Sequence, residues 1–363
     1  MTKIKLGLFF GGRSTEHEVS IRSAESIIQN LNADRYELLP VGVDKSGKFQ
    51  IGIEKTRMAM PEAAKIIENA CARAGDTRLD FCKKIPEHLS DDFAEFVDVV
   101  FPIIHGYFGE DGGIQGLMRA FDIPFVGPDI LGSAVGMDKD LQKRIFRECG
   151  IAVARSVTIF SKDEANYQEI AKDLGEILFV KPANIGSSVG ISKTRNEQEF
   201  NFAVQDAFLY DHRVIIEEFI EGREVECAVL GNANMQVSVC GEIVLTGSDF
   251  YDYDTKYIKS DGCKIFIPAE LPENLSDKIR EIAVKACKAA CCEGMVRVDF
   301  LIRKKDNEPI LNEINTIPGF TSISLYPAAW RASGMSTEKL MDTLVNLAFE
   351  RKLRNNKLKW SYC

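Results

Sequence analysis

Two short apolar runs constrain this chain more than any other feature. One is Met295 to Ile302, which contains Arg297-Val-Asp299; the other is Pro309 to Ile314, which carries Glu313 and is followed by Asn315. Both read as strands, and the charged linker Arg303-Lys-Lys-Asp-Asn307 reads as the turn that makes them an antiparallel pair. Side chains alternate along a strand, so Arg297 shares a face with Asp299, and Glu313 with Asn315. With those faces together, two carboxylates and an amide oxygen converge beside a guanidinium. Such hard oxygen donors suit Mg²⁺ that bridges to phosphates. The competing explanation is the wet face of an ordinary hairpin. Against it stands the segment that follows, Thr316-Ile-Pro-Gly319-Phe-Thr-Ser322, a rigid loop rich in backbone and hydroxyl donors.

With 45% apolar and 27% charged residues over 363 positions, the chain can bury a large core and form two or three domains. A formal net charge of −9, with no block of Lys and Arg, argues against nucleic acid as a partner, because neutralising phosphates needs a basic face. No run reaches the roughly 18 apolar residues of a membrane span. The opening Met1-Thr-Lys-Ile-Lys5 leads directly into a strand pattern, so a cytoplasmic protein without a membrane anchor is expected. Ten cysteines, at 71, 82, 149, 227, 240, 263, 287, 291, 292 and 363, form no Cys-x-x-Cys pair and read as structural thiols. The histidines at 17, 88, 105 and 212 lack zinc-binding spacing.

Lys3 to Phe10 reads as a buried strand, Gly11-Gly-Arg-Ser-Thr-Glu16-His-Glu18 as its turn, and Val19 to Leu31 as a helix capped by Ser20. Tyr36 to Val43 completes a βαβ unit. The turn lacks the Gly-x-Gly-x-x-Gly order of a dinucleotide site, which sets NAD and hydride transfer aside. Residues 54–95 are polar and read as a surface excursion, with a helix over Pro61 to Arg73. Val97 to Ile104 is a strand emptying into His105-Gly-Tyr-Phe-Gly-Glu110-Asp-Gly-Gly113. Open α/β sheets bind ligands at such loops, so His105 is a candidate ligand contact rather than a core histidine. A helix over 114–121 and a short strand over 124–127 follow.

Asp138 then caps a helix running to Cys149, and Lys139 in its first turn can reach an anion; an ordinary solvated lysine is the alternative, and both readings stand. A domain boundary is placed there. Ala152 to Phe160 and Ile177 to Pro182 read as strands flanking a helix over Lys162 to Leu174. Next comes Lys181-Pro-Ala-Asn-Ile-Gly186-Ser187-Ser188-Val-Gly190, whose small residues leave backbone N–H groups to wrap phosphate oxygens while Lys181 supplies charge. It is not a Walker loop, and a plain hairpin turn rarely needs this composition. After a helix over Glu197 to Leu209, Val214-Ile-Ile-Glu217-Glu218-Phe219-Ile220-Glu-Gly222 has the character of a segment joining two lobes, open to an adenine edge; an acidic turn is the alternative. Residues 247–262 are polar but carry Phe250, Tyr251, Tyr253 and Tyr257, which suits a water-excluding lid better than a disordered loop.

These motifs together resemble the ATP-grasp superfamily and, within it, the D-alanine:D-alanine ligases of type A. The resemblance spans nearly the whole chain. It rests on Gly11-Gly-Arg-Ser-Thr-Glu-His-Glu-Val-Ser20, His105-Gly-x-x-Gly-Glu-Asp-Gly112, Met137-Asp-Lys139, Lys181-Pro-Ala-Asn-x-Gly-Ser-Ser-Val-Gly190, Gly222-Arg-Glu224-Val-Glu-Cys-Ala-Val-Leu230, Asp254-Thr-Lys256-Tyr257, Arg297-Val-Asp299 and Asn312-Glu-Ile-Asn-Thr-Ile-Pro-Gly-Phe-Thr321. It implies an α/β protein: an open parallel pre-ATP-grasp domain over 1–138, a small central ATP-grasp lobe over 139–221, and a large lobe over 222–363. The two lobes would have antiparallel sheets, with the metal site and the lid on the larger one. The implied reaction is ATP-dependent ligation of two D-alanines through a D-alanyl phosphate, for peptidoglycan precursors. A homodimer and two Mg²⁺, replaceable by Mn²⁺, are implied as well.

By the same resemblance, Asp299, Glu313 and Asn315 would hold the metal ions, and Lys139, Lys181, Ser187 and Ser188 the ATP phosphates. Glu217, Phe219 and Ile220 would meet adenine, and Glu224 the ribose. Glu16, near His105, would bind the ammonium of the first D-alanine. Arg297 and the Gly319 N–H would stabilise the oxyanion, while Lys256, Ser324 and Leu325 would receive the second D-alanine. A Glu16, Ser187, Tyr257 chain would orient groups for attack. Tyr257 favours an amine over a hydroxy acid as second substrate, which leaves D-serine as the alternative. A different carboxylate–amine ligase would share the nucleotide residues but need not have Lys256-Tyr257 or Ser324-Leu325. A non-catalytic module is expected to have lost a metal ligand or Arg297, and none is lost.

Overall fold

Near-continuous apolar runs form strands that are buried on both faces, and such strands pair in parallel beneath covering helices. Strand β1 (Ile4–Gly11) does this with β2 (Tyr36–Val43), and the short β3 (Phe49–Ile51) and β4 (Val99–Pro102) complete the first sheet. Its order is β3-β2-β1-β4, parallel except at β3. Leu6, Leu8 and Phe10 join one core cluster while Phe9 joins another with Leu39, Val41 and Val100, as the two-residue period requires. The computed structural model describes residues 2–51, 91–186, 189–245, 263–359 and 361. The expected helix over Pro61 to Arg73 and the lid over 247–262 lie outside them, as do Ser187, Ser188, Lys256 and Tyr257.

Helix α1 (His17–Asn30) connects β1 to β2. Ser20 is not its cap but lies inside it, where Oγ donates to Ile103 O at 2.5 Å and accepts from Gly11 N–H at 2.7 Å. The hydroxyl therefore ties β1 to the end of β4. After β4 come α2 (Gly113–Ala120), α3 (Ile130–Met137) and α4 (Lys139–Glu148). The expected strand over 124–127 is only an isolated bridge, Val100 to Phe125. Asp138 breaks α3 from α4 with extended backbone and caps α4, accepting from Leu141 N–H at 2.9 Å.

A second, antiparallel sheet contains β5 (Ser156–Ile159), β6 (Leu178–Pro182), β7 (Ser192–Thr194) and β8 (Val214–Glu218), in the order β5-β8-β6-β7. Helices α5 (Tyr167–Leu174) and α6 (Glu197–Ala207) contribute Tyr167 and Phe200 to its core. The expected helix from Lys162 is a short 3-10 turn followed by α5, whose cap is Asn166.

The third sheet is also antiparallel. It comprises β9 (Gly222–Gly231), β10 (Gln236–Val237), β11 (Gly241–Leu245), β12 (Cys263–Phe266), β13 (Gly294–Arg303) and β14 (Pro309–Asn315). Five of these run in the order β12-β11-β9-β13-β14, and β10 pairs with β9. Helix α7 (Glu273–Ala289) packs on one face through Ile279, Ala283 and Ala286, in a cluster that also takes up Cys227, Cys240, Cys287 and Cys292 as small hydrophobes. Helices α8 (Leu325–Ala332) and α9 (Thr337–Asn355) share a core with the first sheet, so both ends of the chain are packed together. Tyr36 Oη donates to Asp342 at 2.6 Å across that seam. Gly136 lets α3 press on the third sheet, because a Cβ there would lie 2.3 Å from Thr316 Cγ2.

Candidate active site

The hairpin β13–β14 has the register that strand alternation predicts: Arg297 opposite Asn315 and Asp299 opposite Glu313. A bulge between Asp299 and Phe300 then shifts the pairing, a common device beside functional sites. Arg297 is the centre of this face. It donates to both oxygens of Asp299, at 2.8 and 2.7 Å, and its Nε lies 2.8 Å from Glu226 Oε2 on the neighbouring β9. Burial alone would depress the guanidinium's pKa, but Asp299 and Glu226 more than compensate and hold it well above its ordinary value. Asn315 Nδ2 donates to Asp299 Oδ2 at 2.8 Å.

Among the described residues no group of three or more His, Cys, Asp or Glu gathers around one point. The Asp299–Glu313 register pair supplies only two carboxylates, and the Asn315 amide, once turned over, supplies a third donor. All three are hard oxygen donors, which fits Mg²⁺ or Mn²⁺ and does not fit a soft metal.

Three lysines of the second sheet and α4 stand near this pair or its neighbour Glu217. Lys139 is buried, which removes the solvated-lysine alternative: its Nζ donates to Ile185 O at 2.6 Å and lies 3.4 Å from Glu313 Oε2. Lys181 Nζ donates to Glu217 Oε2 at 2.8 Å, and Lys143 Nζ lies 3.1 Å from Glu217 Oε1. Burial works against ionisation of Glu217, but the two lysines outweigh it and hold the carboxyl at about 2. Burial pushes Lys143 down. For Lys181 it acts in the same direction but is overcome by Glu217, so that pKa rises. Phe219 stacks near Phe179 with Lys193 Nζ 4.0 Å above its ring, Ile220 is buried, and Glu224 is half-buried on β9.

The other end of the cleft is rich in carboxylates. Glu16 is buried at the start of α1 yet makes no side-chain cap, and a Cβ added at Gly186 would stand 3.0 Å from its Oε2. His105 is buried too. Its Nδ1 lies 3.0 Å from Ile317 O, which can only accept, so Nδ1 carries the proton and Nε2 accepts from Ser23 Oγ at 3.4 Å. Burial lowers its pKa, consistent with a neutral ring. Glu110 accepts from Gly106 N–H at 2.8 Å and from Ile317 N–H at 3.1 Å; burial and then Glu16 push its carboxyl up to about 8. Gly319 needs its missing side chain, since a Cβ would meet Ser324 Oγ at 2.8 Å. That hydroxyl accepts from Thr321 N–H at 3.0 Å, and Leu325 is buried behind it.

Glu16, His105, Arg297, Glu313, Asn315, Gly319, Ser324 and Leu325 all line one open cleft of about 130 Å³. Three of its neighbours were not singled out from sequence. Lys143 lies one helical turn beyond Lys139 on the same face. Glu226 follows Glu224 by two along a strand, and Glu110 lies inside the glycine-rich loop whose histidine alone drew notice.

A parallel α/β unit followed by two antiparallel sheets, with lysines facing a carboxylate pair, defines the chain as an ATP-grasp protein. Residues 5–128 match the family model described as "D-ala D-ala ligase N-terminus", and residues 145–346 match the one described as "D-ala D-ala ligase C-terminus". The chain belongs to the D-alanine–D-alanine ligase family. It is 45% identical to D-alanine–D-alanine ligase A of Escherichia coli O6:H1 and 44% identical to the D-alanine–D-alanine ligase of Shouchella clausii, with 99% of both chains covered in each case. Among solved structures, it is similar to the D-alanine–D-alanine ligase of Coxiella burnetii, at a TM-score of 0.78 and 35% identity over 98% of both chains. It is also similar to the VanG D-Ala:D-Ser ligase of Enterococcus faecalis, at 0.80 and 37% identity over 96% of this chain and 100% of that one.

Proposed function

We propose that this cleft ligates two D-alanines to D-alanyl-D-alanine at the expense of ATP, supplying peptidoglycan precursors. The observation that carries the reading is the hairpin register that sets Asp299 opposite Glu313, with Lys139 reaching the latter. A carboxylate is a poor electrophile. An oxygen of the first D-alanine carboxylate therefore attacks the γ-phosphorus of ATP, releasing ADP and leaving an acyl phosphate. The amine of the second D-alanine attacks the acyl carbon, and the tetrahedral oxyanion collapses with loss of inorganic phosphate and a proton.

Lys139 and Lys181 balance phosphate charge, and Glu217 keeps Lys181 protonated and aimed. Ser187 and Ser188 extend this cradle, Glu217 and the backbone near Phe219 and Ile220 meet adenine, and Glu224 meets the ribose. Asp299, Glu313 and Asn315 would hold two Mg²⁺. When bound, such ions neutralise the phosphate oxygens and hold the transferred group in line. Glu16 takes the ammonium of the first D-alanine, beside His105. Arg297 and the Gly319 N–H are aimed where the oxyanion develops. A guanidinium has five N–H donors, more than the contacts to Asp299 and Glu226 consume. Ser324, Leu325 and Lys256 receive the second D-alanine, and Tyr257 with Ser187 and Glu16 orients its amine.

D-alanine as second substrate is favoured by the 44–45% identity, over the full length, to D-alanine–D-alanine ligases. The three sheets support a division into 1–138, 139–221 and 222–363. None of the described helices is long and apolar enough to cross a membrane.

The test is phosphate release by purified protein with ATP, Mg²⁺ and D-alanine, run beside L-alanine, D-serine and D-lactate, with products read by mass. Release with D-alanine and a dipeptide product is expected. Phosphate release only with another carboxylate overturns the substrate assignment.

A further inference from the structure

We infer that Glu110 is a positioning residue for the ligation step, fastening the loop that carries Gly319 to the loop that carries His105. The inference rests on the ligase reading and on the oxyanion role of Gly319. Glu110 lies between β4 and α2, in the N-terminal part of the chain. Its Oε2 accepts from Gly106 N–H at 2.8 Å, and its Oε1 reaches across to Ile317 N–H, 207 residues away, at 3.1 Å. His105, from the same loop, donates Nδ1–H to Ile317 O at 3.0 Å. Ile317 is thus gripped at both its N–H and its C=O by side chains of one N-terminal loop. On the far side of Gly319, Phe320 N–H donates to Ser23 Oγ at 3.2 Å, and Ser23 in turn faces His105 Nε2.

Both flanks of Gly319 are therefore anchored to the N-terminal sheet and its first helix. Arg297, the partner donor, is set independently by β9 and β13 through Glu226 and Asp299. The two oxyanion donors belong to different anchors, and Glu110 is the link that brings them into register. Only a full-length carboxyl group serves. The two N–H groups need two acceptor oxygens, a glutamine offers one and turns an NH₂ toward the other, and an aspartate is one methylene short.

The experiment compares the full-length wild type with Glu110→Gln and Glu110→Asp. It measures phosphate release with ATP, Mg²⁺ and D-alanine, and ATP binding by equilibrium titration, and turnover is normalised to ATP-binding sites. Displacements of about 1 Å can cost about 100-fold in rate. Glu110→Gln is expected to lose about 10- to 100-fold in kcat per ATP-binding site with the ATP Kd within about twofold, because the nucleotide is held by the opposite end of the cleft. Glu110→Asp, which keeps both carboxyl oxygens, is expected to fall between the two and carries the comparison where Glu110→Gln does not fold. Normalised kcat within twofold of wild type in the folded variants overturns the inference. So does a parallel loss of ATP binding, which marks general structural damage. A wild type that releases no phosphate with D-alanine removes the ligase reading, and the inference falls with it.

Discussion

Glu217, buried, and Glu110, half-buried, are the same residue type on two sides of the site, and their environments drive them in opposite directions. Glu217 sits between Lys143 and Lys181 and is held at about 2. Glu110 sits beside Glu16, with Arg297 and the neutral His105 as its other titratable neighbours, and is pushed up to about 8. Burial alone would raise both. The difference lies in the partners: two lysines stand against Glu217, and a second carboxylate stands beside Glu110. In the proposed reading, ATP phosphates meet the first set and an amino-acid ammonium the second.

The largest effect is expected at the boundary between the two sides. Arg297→Ala removes the guanidinium that neutralises Asp299 and Glu226, and turnover should fall by about 10²- to 10³-fold, the scale of losing one oxyanion donor. Loss of stability is expected as well, since the buried Asp299 and Glu226 lose their cation. Phosphate release per folded molecule separates the two effects, and unchanged turnover would remove Arg297 from the oxyanion site.

Next is Glu217→Gln, which leaves Lys143 and Lys181 facing each other. The folded carboxyl lies below its ordinary value of 4.5, so its stabilisation is present above that pH and is lost as pH falls toward 2. The expected deficit at neutral pH is on the order of 3 kcal/mol, shrinking as acid unfolding is approached. Denaturant titrations of both proteins at pH 7 and pH 3 check this, and a gap that does not narrow in acid contradicts the ion-pair account.

The last effect has the opposite sign. Glu110 binds its proton more tightly in the folded state, so its contribution is complete below the ordinary 4.5 and is lost as pH rises through about 8. Wild-type stability should therefore decline from pH 6 to pH 9 more steeply than that of Glu110→Gln. Equal slopes would show that Glu110 is ionised throughout and that the two glutamates differ less than their surroundings indicate.

Much of this cleft was legible because its residues sit in short-range patterns. Lys181 ends a strand before a small-residue loop, and Asp138 caps the helix that begins with Lys139. Ser20 misled because Ser near a predicted helix start looks like a cap, whereas its hydroxyl bridges β1 and Ile103 inside α1. Lys143 went unnoticed because an amphipathic helix shows many lysines, and only packing against β8 makes this one a partner of Glu217.

The sequence by itself determined the hairpin and its chemistry. A two-residue period puts Arg297 on a face with Asp299 and Glu313 on a face with Asn315, and the observed register brings the two pairs together. Only the tertiary structure decided that Glu110 grips Ile317 and that one glutamate stands among lysines while another stands beside a carboxylate. Those contacts join segments far apart in the chain, and they depend on how three separately patterned sheets pack, which no local period encodes.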